Sequence, residues 1–281
     1  MTKTELTFGC QTYTWEMLGS AWKGGPDDLI AAVAHGGYTG LEITNTMIGD
    51  YAARPAAFAR ALRDAGLTLV SFAFGSDSGF TLPDRMEDDL DAVTRWVDFV
   101  AGFPGALVSL GSATSVSDGP REDGFGIASE IYNRASDIGR AAGVAVAVHP
   151  SSHHRTLLYT RSDYDQIFSR LDPQVGWVPD TGHILRGGQT MADTLVAYRD
   201  RIRYVHLKDV DAAGEWAMLG AGVCDIGEVI AIVATAPHFN GWIVVEEESE
   251  EAGRDPASAV RINRETLSRM GFADDRKGAQ S

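Results

Sequence analysis

Short apolar runs alternate along this chain with longer segments in which apolar residues recur at helical spacing. That alternation predicts repeated βα units and therefore a parallel sheet with helices on its outer face. Strands are predicted at residues 6–11, 40–44, 67–73, 106–110, 144–149, 175–180, 202–206 and 241–246. Eight such units close a single (β/α)8 TIM barrel, and 281 residues is an ordinary length for one. Between the strands, PAAFARALRDAG sets Phe58 and Leu62 one helical turn apart and ends in Gly66, a natural C-terminal stop. For the last helix, Asp255 is the expected N-cap and Pro256 the first residue, while Val260, Ile262, Leu267 and Met270 are expected to form its apolar face and Gly271 to end it. No linker composition or repeat divides the chain, so residues 1–272 are read as one catalytic domain and ADDRKGAQS, 273–281, as a polar tail.

Composition narrows the function. With 44% hydrophobic and 22% charged residues the chain can bury a large core. A formal net charge of -15 repels a phosphate backbone, which argues against nucleic acid as a partner. There is no apolar run of membrane-spanning length, and MTKTELTFGCQTYTW lacks the pattern of a signal peptide, so a cytoplasmic protein with no membrane partner is expected. Cys10 and Cys224 form no metal-knuckle or redox spacing, and buried free thiols are the favoured reading. The sequence leaves room for a homo-oligomer or a small accessory subunit.

In a parallel barrel the chemistry sits where strands finish. The fifth strand reads GVAVAVHP, and alternation puts Val144, Val146 and Val148 on the helix-facing side, so that His149 points inward at the upper end. A loop follows with His153, His154 and Arg155. The sixth run, VGWVPDTGH, ends in Asp180 with His183 three residues on; the seventh, IRYVHLKD, ends in His206 followed by Lys208 and Asp209; the eighth, GWIVVEEE, ends in Glu246. A single His or Asp at a strand end is more often hydrogen-bonded structure than a ligand, and Glu247 to Glu251 read equally as a solvated acidic loop. Four successive strands delivering His, Asp, His and Glu to one rim change that balance. Imidazole and carboxylate together suit Mn, Co, Zn or Fe better than Ca. Glu42, inward on the second strand, fits a structural or a substrate-facing role, and Trp15, Phe72 and Trp216 are candidate walls of a sugar site, with core packing the default for each.

GYTGLEI, DTGH, HLKD, LGAGVCDIGEVI and GWIVVEEE, taken together and in this order, resemble the xylose-isomerase-like sugar phosphate isomerase/epimerase superfamily over nearly the whole chain. HP at the fifth strand, LGAG before the last unit and GWIVVEEE before DP are most similar to the branch with inosose dehydratase and the catalytic subunits of 3-oxo-glycoside deglycosidases. The resemblance implies that Asp180, His206 and Glu246 are metal ligands and that His183 lies beside the substrate. One departure matters: the isomerases and epimerases usually carry glutamate at the fifth strand, where this chain has His149. A ligating imidazole cannot act as a base while its lone pair is on the metal. Either His149 is the fourth ligand, or it is a free base and His153 or His154 ligates.

The chemistry expected is removal of the proton beside a carbonyl in a small keto-sugar or keto-cyclitol, helped by one divalent ion, Mn favoured, and by no organic cofactor. His149, His183, Lys208 and Glu246 are the candidate proton-moving groups; Glu42, His153, His154, Arg155, Trp15, Phe72 and Trp216 are the candidate substrate contacts. The fifth-strand histidine and the branch resemblance favour elimination over isomerisation or epimerisation. An endonuclease-IV-like DNA repair enzyme shares these ligand types but is opposed by the acidic balance, and a non-catalytic sugar-binding barrel is the remaining rival.

Overall fold

A computed structural model describes residues 5–153 and 155–273. Eight parallel strands form its sheet: β1 Thr7–Gln11, β2 Gly40–Thr44, β3 Thr68–Phe74, β4 Leu107–Leu110, β5 Ala145–Val148, β6 Gly176–Trp177, β7 Val205–Leu207 and β10 Trp242–Val245. A two-stranded hairpin, β8 Asp209–Val210 and β9 Trp216–Ala217, lies between the last two. The strand order is β6-β5-β4-β3-β2-β1-β10-β7, and the parallel bridges Trp177 to Ile202 and Asp180 to His206 join β6 to β7, closing the ring. The sixth strand is shorter than its apolar run suggests because Pro179 has no N–H to add to a ladder, although its carbonyl accepts from His206 N at 2.8 Å. The main helices on the outside are α2 Pro26–His35, α3 Pro55–Asp64, α4 Met86–Val100, α5 Gly124–Ala141, α6 Arg161–Phe168, α8 Met191–Ala197, α9 Ile226–Val233 and α11 Pro256–Arg269; α1 Tyr13–Glu16, α7 Thr181–Arg186 and α10 Glu250–Arg254 are short.

Two apolar layers follow from strand alternation. Val146 and Val148 face the helices, while Ala147 joins Val70, Leu107, Val178, Tyr204, Trp242 and Val244 inside the ring. Phe58 and Leu62 are buried on α3, and Gly66 ends that helix at φ +71°. The final helix starts as expected, with the Asp255 side chain accepting from Ser258 N. Its apolar face does not match expectation: Val260 and Leu267 are fully buried, but Ile262 and Met270 are exposed. Ile262 lies about 200° around the helix from Val260, and the buried stripe runs instead through Val260, Asn263 and Leu267.

Phe72 and Trp15 belong to the core, not to a sugar wall. The register between β2 and β3 shifts so that Leu41 pairs with Leu69 but Glu42 pairs with Ser71, leaving Val70 as an extra residue. That bulge turns both Val70 and Ser71 inward and sends Phe72 outward, where its ring stacks on Trp96 of α4 at 4.4 Å. Trp15 is 1% exposed, edge-on to Trp22. Asp209, beside the rim, is structural: its two carboxylate oxygens accept the backbone N–H groups of Val210, Cys224, Gly220 and Gly222. A Cβ on Gly222 would lie 2.2 Å from Asp209 Oδ1, which is why the last position of LGAG is glycine. Both cysteines are free, Cys10 buried and Cys224 partly so. No helix among the described residues is long and apolar enough to cross a membrane.

Because the Phe72 ring fills space between sheet and helix, Phe72→Ala should destabilise the fold by about 3–5 kcal/mol. Chemical denaturation measures this, and a loss below about 1 kcal/mol would place the ring outside the packed core.

Candidate metal centre and active site

Four side chains from consecutive strand ends meet above the interior layer. His149 follows β5, Asp180 follows β6, His206 lies in β7 and Glu246 follows β10. One ligand atom from each falls within 4.8 Å of the others. His149 Nε2 is 3.6 Å from Asp180 Oδ2 and 4.0 Å from Glu246 Oε2, and His206 Nδ1 is 3.9 Å and 2.7 Å from the same two oxygens. Among the described residues, His149 Nε2, Asp180 Oδ2 and His206 Nδ1 are buried without a hydrogen-bond partner, the 2.7 Å approach lacking the necessary alignment. Leaving such atoms unsatisfied costs about 1–3 kcal/mol each. Two imidazoles and two carboxylates aimed at one point fit a divalent cation of the Mn-to-Zn kind, whose charge would balance the carboxylates.

Local backbone structure and neighbouring side chains set these aims. Asp180 caps α7: its Oδ1 accepts from His183 N at 2.8 Å, which leaves Oδ2 for the centre. Behind His206 stands Glu42, fully buried, with Oε2 2.9 Å from His206 Nε2 and Oε1 accepting from Gln11 Nε2 at 2.6 Å. An Nε2–H donated to Glu42 turns the Nδ1 lone pair to the centre. Burial alone would lower the pKa of His206, but Glu42 and Glu246 outweigh it and push it up to about 10, so this pocket favours a cation on that nitrogen. Burial would raise the carboxyl of Asp180, yet its electrostatic interactions with the His183 ring and the Lys208 ammonium outweigh that and hold it below the usual range.

A second tier flanks the centre. Lys208 is 2% exposed and donates to Glu246 Oε1 at 2.9 Å and to Glu248 Oε1. Its ammonium lies 4.1 Å from the Trp216 ring, which the hairpin brings to the site beside His183. His183 is 3% exposed, with Nδ1 2.9 Å from Ser152 Oγ, and burial holds its imidazole well below the ordinary pKa. His153 Nε2 is 4.0 Å from Glu248 Oε2. Burial and the Glu246 charge raise the Glu248 carboxyl against the pull of Lys208, to about 7. A cavity of about 440 Å³ opens onto His149, His153, His183, His206, Glu246 and Glu248, a volume suited to a small molecule.

The 151–156 loop divides. Ser152 and His153 reach the site, His154 lies outside the described residues, and Arg155 turns away to donate to the carbonyls of Ser117 and Gly119. Arg155 is therefore not a substrate contact in this structure; its backbone, at φ +51°, directs the side chain along the neighbouring loop. Glu42, for which a structural and a substrate-facing role stood equally open, lines the cavity but has both oxygens engaged by protein partners. Sequence reasoning missed Gln11, Ser152 and Glu248. For Glu248 the signal was present: alternation beyond β10 places Glu246 inward, Glu247 outward onto Asn263 Nδ2 at 2.5 Å, and Glu248 inward again.

Ring, strand-end ligands and cavity define a metal-competent barrel enzyme. Residues 30–270 match the family model of the xylose isomerase-like TIM barrel, and the chain belongs to that family. It is 25% identical to the inosose dehydratase of Geobacillus kaustophilus, over 87% of each chain. The inosose dehydratase of Lactiplantibacillus plantarum is 30% identical over 46% of this chain and 49% of its own. Among solved structures, the 3-keto-D-glucoside 4-epimerase YcjR of E. coli superposes with a TM-score of 0.74 at 17% identity, covering 94% of this chain and 100% of that one. The zinc-bound IolI protein does so with a TM-score of 0.74 at 14% identity, covering 94% and 96%. These structures share the fold.

If Glu42 orients His206, Glu42→Gln should weaken divalent-metal affinity by about 10–100-fold. Competition with a chromogenic chelator measures this, and an unchanged Kd would remove Glu42 from the site.

Proposed function

We propose that this chain is a divalent-metal-dependent lyase that removes the proton beside a carbonyl of a small keto-sugar or keto-cyclitol and expels a β-substituent. The observation that carries the reading is the convergence of unpartnered lone pairs from His149, Asp180 and His206, with Glu246, at a cavity also lined by two further imidazoles. The inosose dehydratases that the chain resembles over most of its length support both the substrate class and the elimination. A divalent ion held by His149, Asp180, His206 and Glu246, with Mn the first to test, would polarise the carbonyl oxygen and stabilise the charge that develops on it.

The protein's own groups move the protons. The His149 lone pair is committed to the centre, so the base lies elsewhere. His183, held through Nδ1 by Ser152, faces the cavity and takes the proton from carbon. His153, with its ring centroid 5.7 Å from that of His183 and Glu248 behind it, gives a proton to the departing oxygen. An imidazole offers one ring nitrogen that can accept a proton and one that can donate, which suits the pair to this exchange. Lys208, clasped by two carboxylates, keeps its proton and positions Glu246. Return of the proton to carbon without loss of a substituent would make the enzyme an isomerase or epimerase by the same first step.

Three measurements test the reading. Asp180→Ala and Glu246→Gln should each lose the bound ion by elemental analysis, and unchanged occupancy in both would sink the ligand assignment. A 2-keto-cyclitol or 3-keto-glycoside incubated with the Mn(II) enzyme in deuterium oxide should exchange its α-hydrogen and yield an ultraviolet-absorbing enone. Exchange that gives a rearranged ketose with no enone would reject elimination, and an absence of exchange would reject the chemistry as a whole. His153→Ala should lower kcat/KM on the reacting substrate by about 10²-fold, against wild-type kinetics if that ring is only surface.

A further inference from the structure

We propose that the Lys208 ammonium occupies a second cation position built into the rim, and so limits the centre to one divalent ion. Beside the four-residue group lies another: His183, Glu246 and Glu248 each offer a ligand atom, all within 4.8 Å of one another. Glu246 belongs to both groups and divides its oxygens between them. Its Oε2 faces His206 Nδ1 at 2.7 Å, whereas its Oε1 receives Lys208 Nζ at 2.9 Å. The same ammonium donates to Glu248 Oε1 and lies over the Trp216 ring, so two carboxylates and an aromatic face enclose it. The stem is anchored at its root, where the Lys208 backbone exchanges hydrogen bonds with Thr181 Oγ1 at 2.8 Å and 2.5 Å.

An ammonium and a divalent ion do different things in that position. The ammonium holds its acceptors at hydrogen-bond distance, supplies one positive charge and has no open coordination site. A divalent ion would draw the same oxygens in to about 2.0–2.2 Å and add a second Lewis acid. Charge balance follows the same division: Asp180 and Glu246 offset one divalent ion, and Glu248 offsets Lys208. Removing the ammonium alone leaves Glu248 and one oxygen of Glu246 without a cation, in a position that a second ion can enter with His183 as a further ligand. This inference rests on the reading that the four-residue group holds an ion.

The test is a titration of metal-free protein with Mn(II), counting bound ions by elemental analysis after gel filtration and recording the electron paramagnetic resonance spectrum. Wild type and Lys208→Arg should bind one ion per chain. Lys208→Met should bind two, with the exchange-coupled spectrum of ions about 3.5–4 Å apart, and Lys208→Met combined with Glu248→Gln should return to one. Circular dichroism establishes that each variant is folded, and Lys208→Met is also refolded with Mn(II) present so that the ion can replace the ammonium during folding. One ion in folded Lys208→Met overturns the inference and leaves the primary reading intact. A Lys208→Met chain that does not fold even with Mn(II) overturns it too, because the position then does not accept an ion in place of the ammonium. No ion in wild type overturns the primary reading and this inference with it.

Discussion

Glu42, Asp180, Glu246 and Glu248 crowd four carboxylates around one end of the barrel, three of them buried and the fourth nearly so. Like charges about 4 Å apart repel by about 4 kcal/mol at the effective dielectric of a protein, and burial removes the water that would screen them. Much of the rim's architecture answers that repulsion. Glu42 is matched by the His206 imidazole and the Gln11 amide, Glu248 by the Lys208 ammonium, and Asp180 by the amide at the start of a helix. What remains is a set of lone pairs without protein partners, placed where a metal ion could take them up. The site is thus an unbalanced remainder of charge that the surrounding hydrogen bonds hold in position.

Strand alternation does most of the aiming. After β10, consecutive glutamates point in, out and in, so one short acidic run supplies a ligand, an anchor for α11 through Asn263, and a cavity wall. The capping of α7 achieves a similar division within a single side chain, one Asp180 oxygen spent on the helix and the other on the centre. Rigid strand ends therefore carry the four converging side chains, while the loop after β5 brings His153, the short helix after β6 brings His183 and the hairpin after β7 brings the Trp216 ring.

Much of this was legible in the residues. Period-two apolar runs ending in His149, Asp180, His206 and Glu246 predicted both the ring and the rim, because alternation and the polarity of parallel barrels are local rules that need no knowledge of distant contacts. The N-cap of the last helix was legible for the same reason. Ile262 and Met270 were misjudged because hydrophobicity marks what could be buried, and the stripe that is buried depends on what the helix meets; there the polar Asn263 takes the inner position to reach Glu247.

The sequence by itself determined the alternation of elements, the closing count of strands, the acidic balance and the four inward strand ends. Only the tertiary structure decided which of the remaining polar groups serve the site. A bulge at Val70 sent Phe72 into the core, backbone geometry turned Arg155 toward the Ser117 and Gly119 carbonyls, and Glu42 settled behind His206. Lys208 found its place between two carboxylates that belong to another strand end. Each of these outcomes turns on a shift in register or on a partner far away in the chain, and side-chain electrostatics in a buried rim are set by such partners rather than by neighbours in sequence.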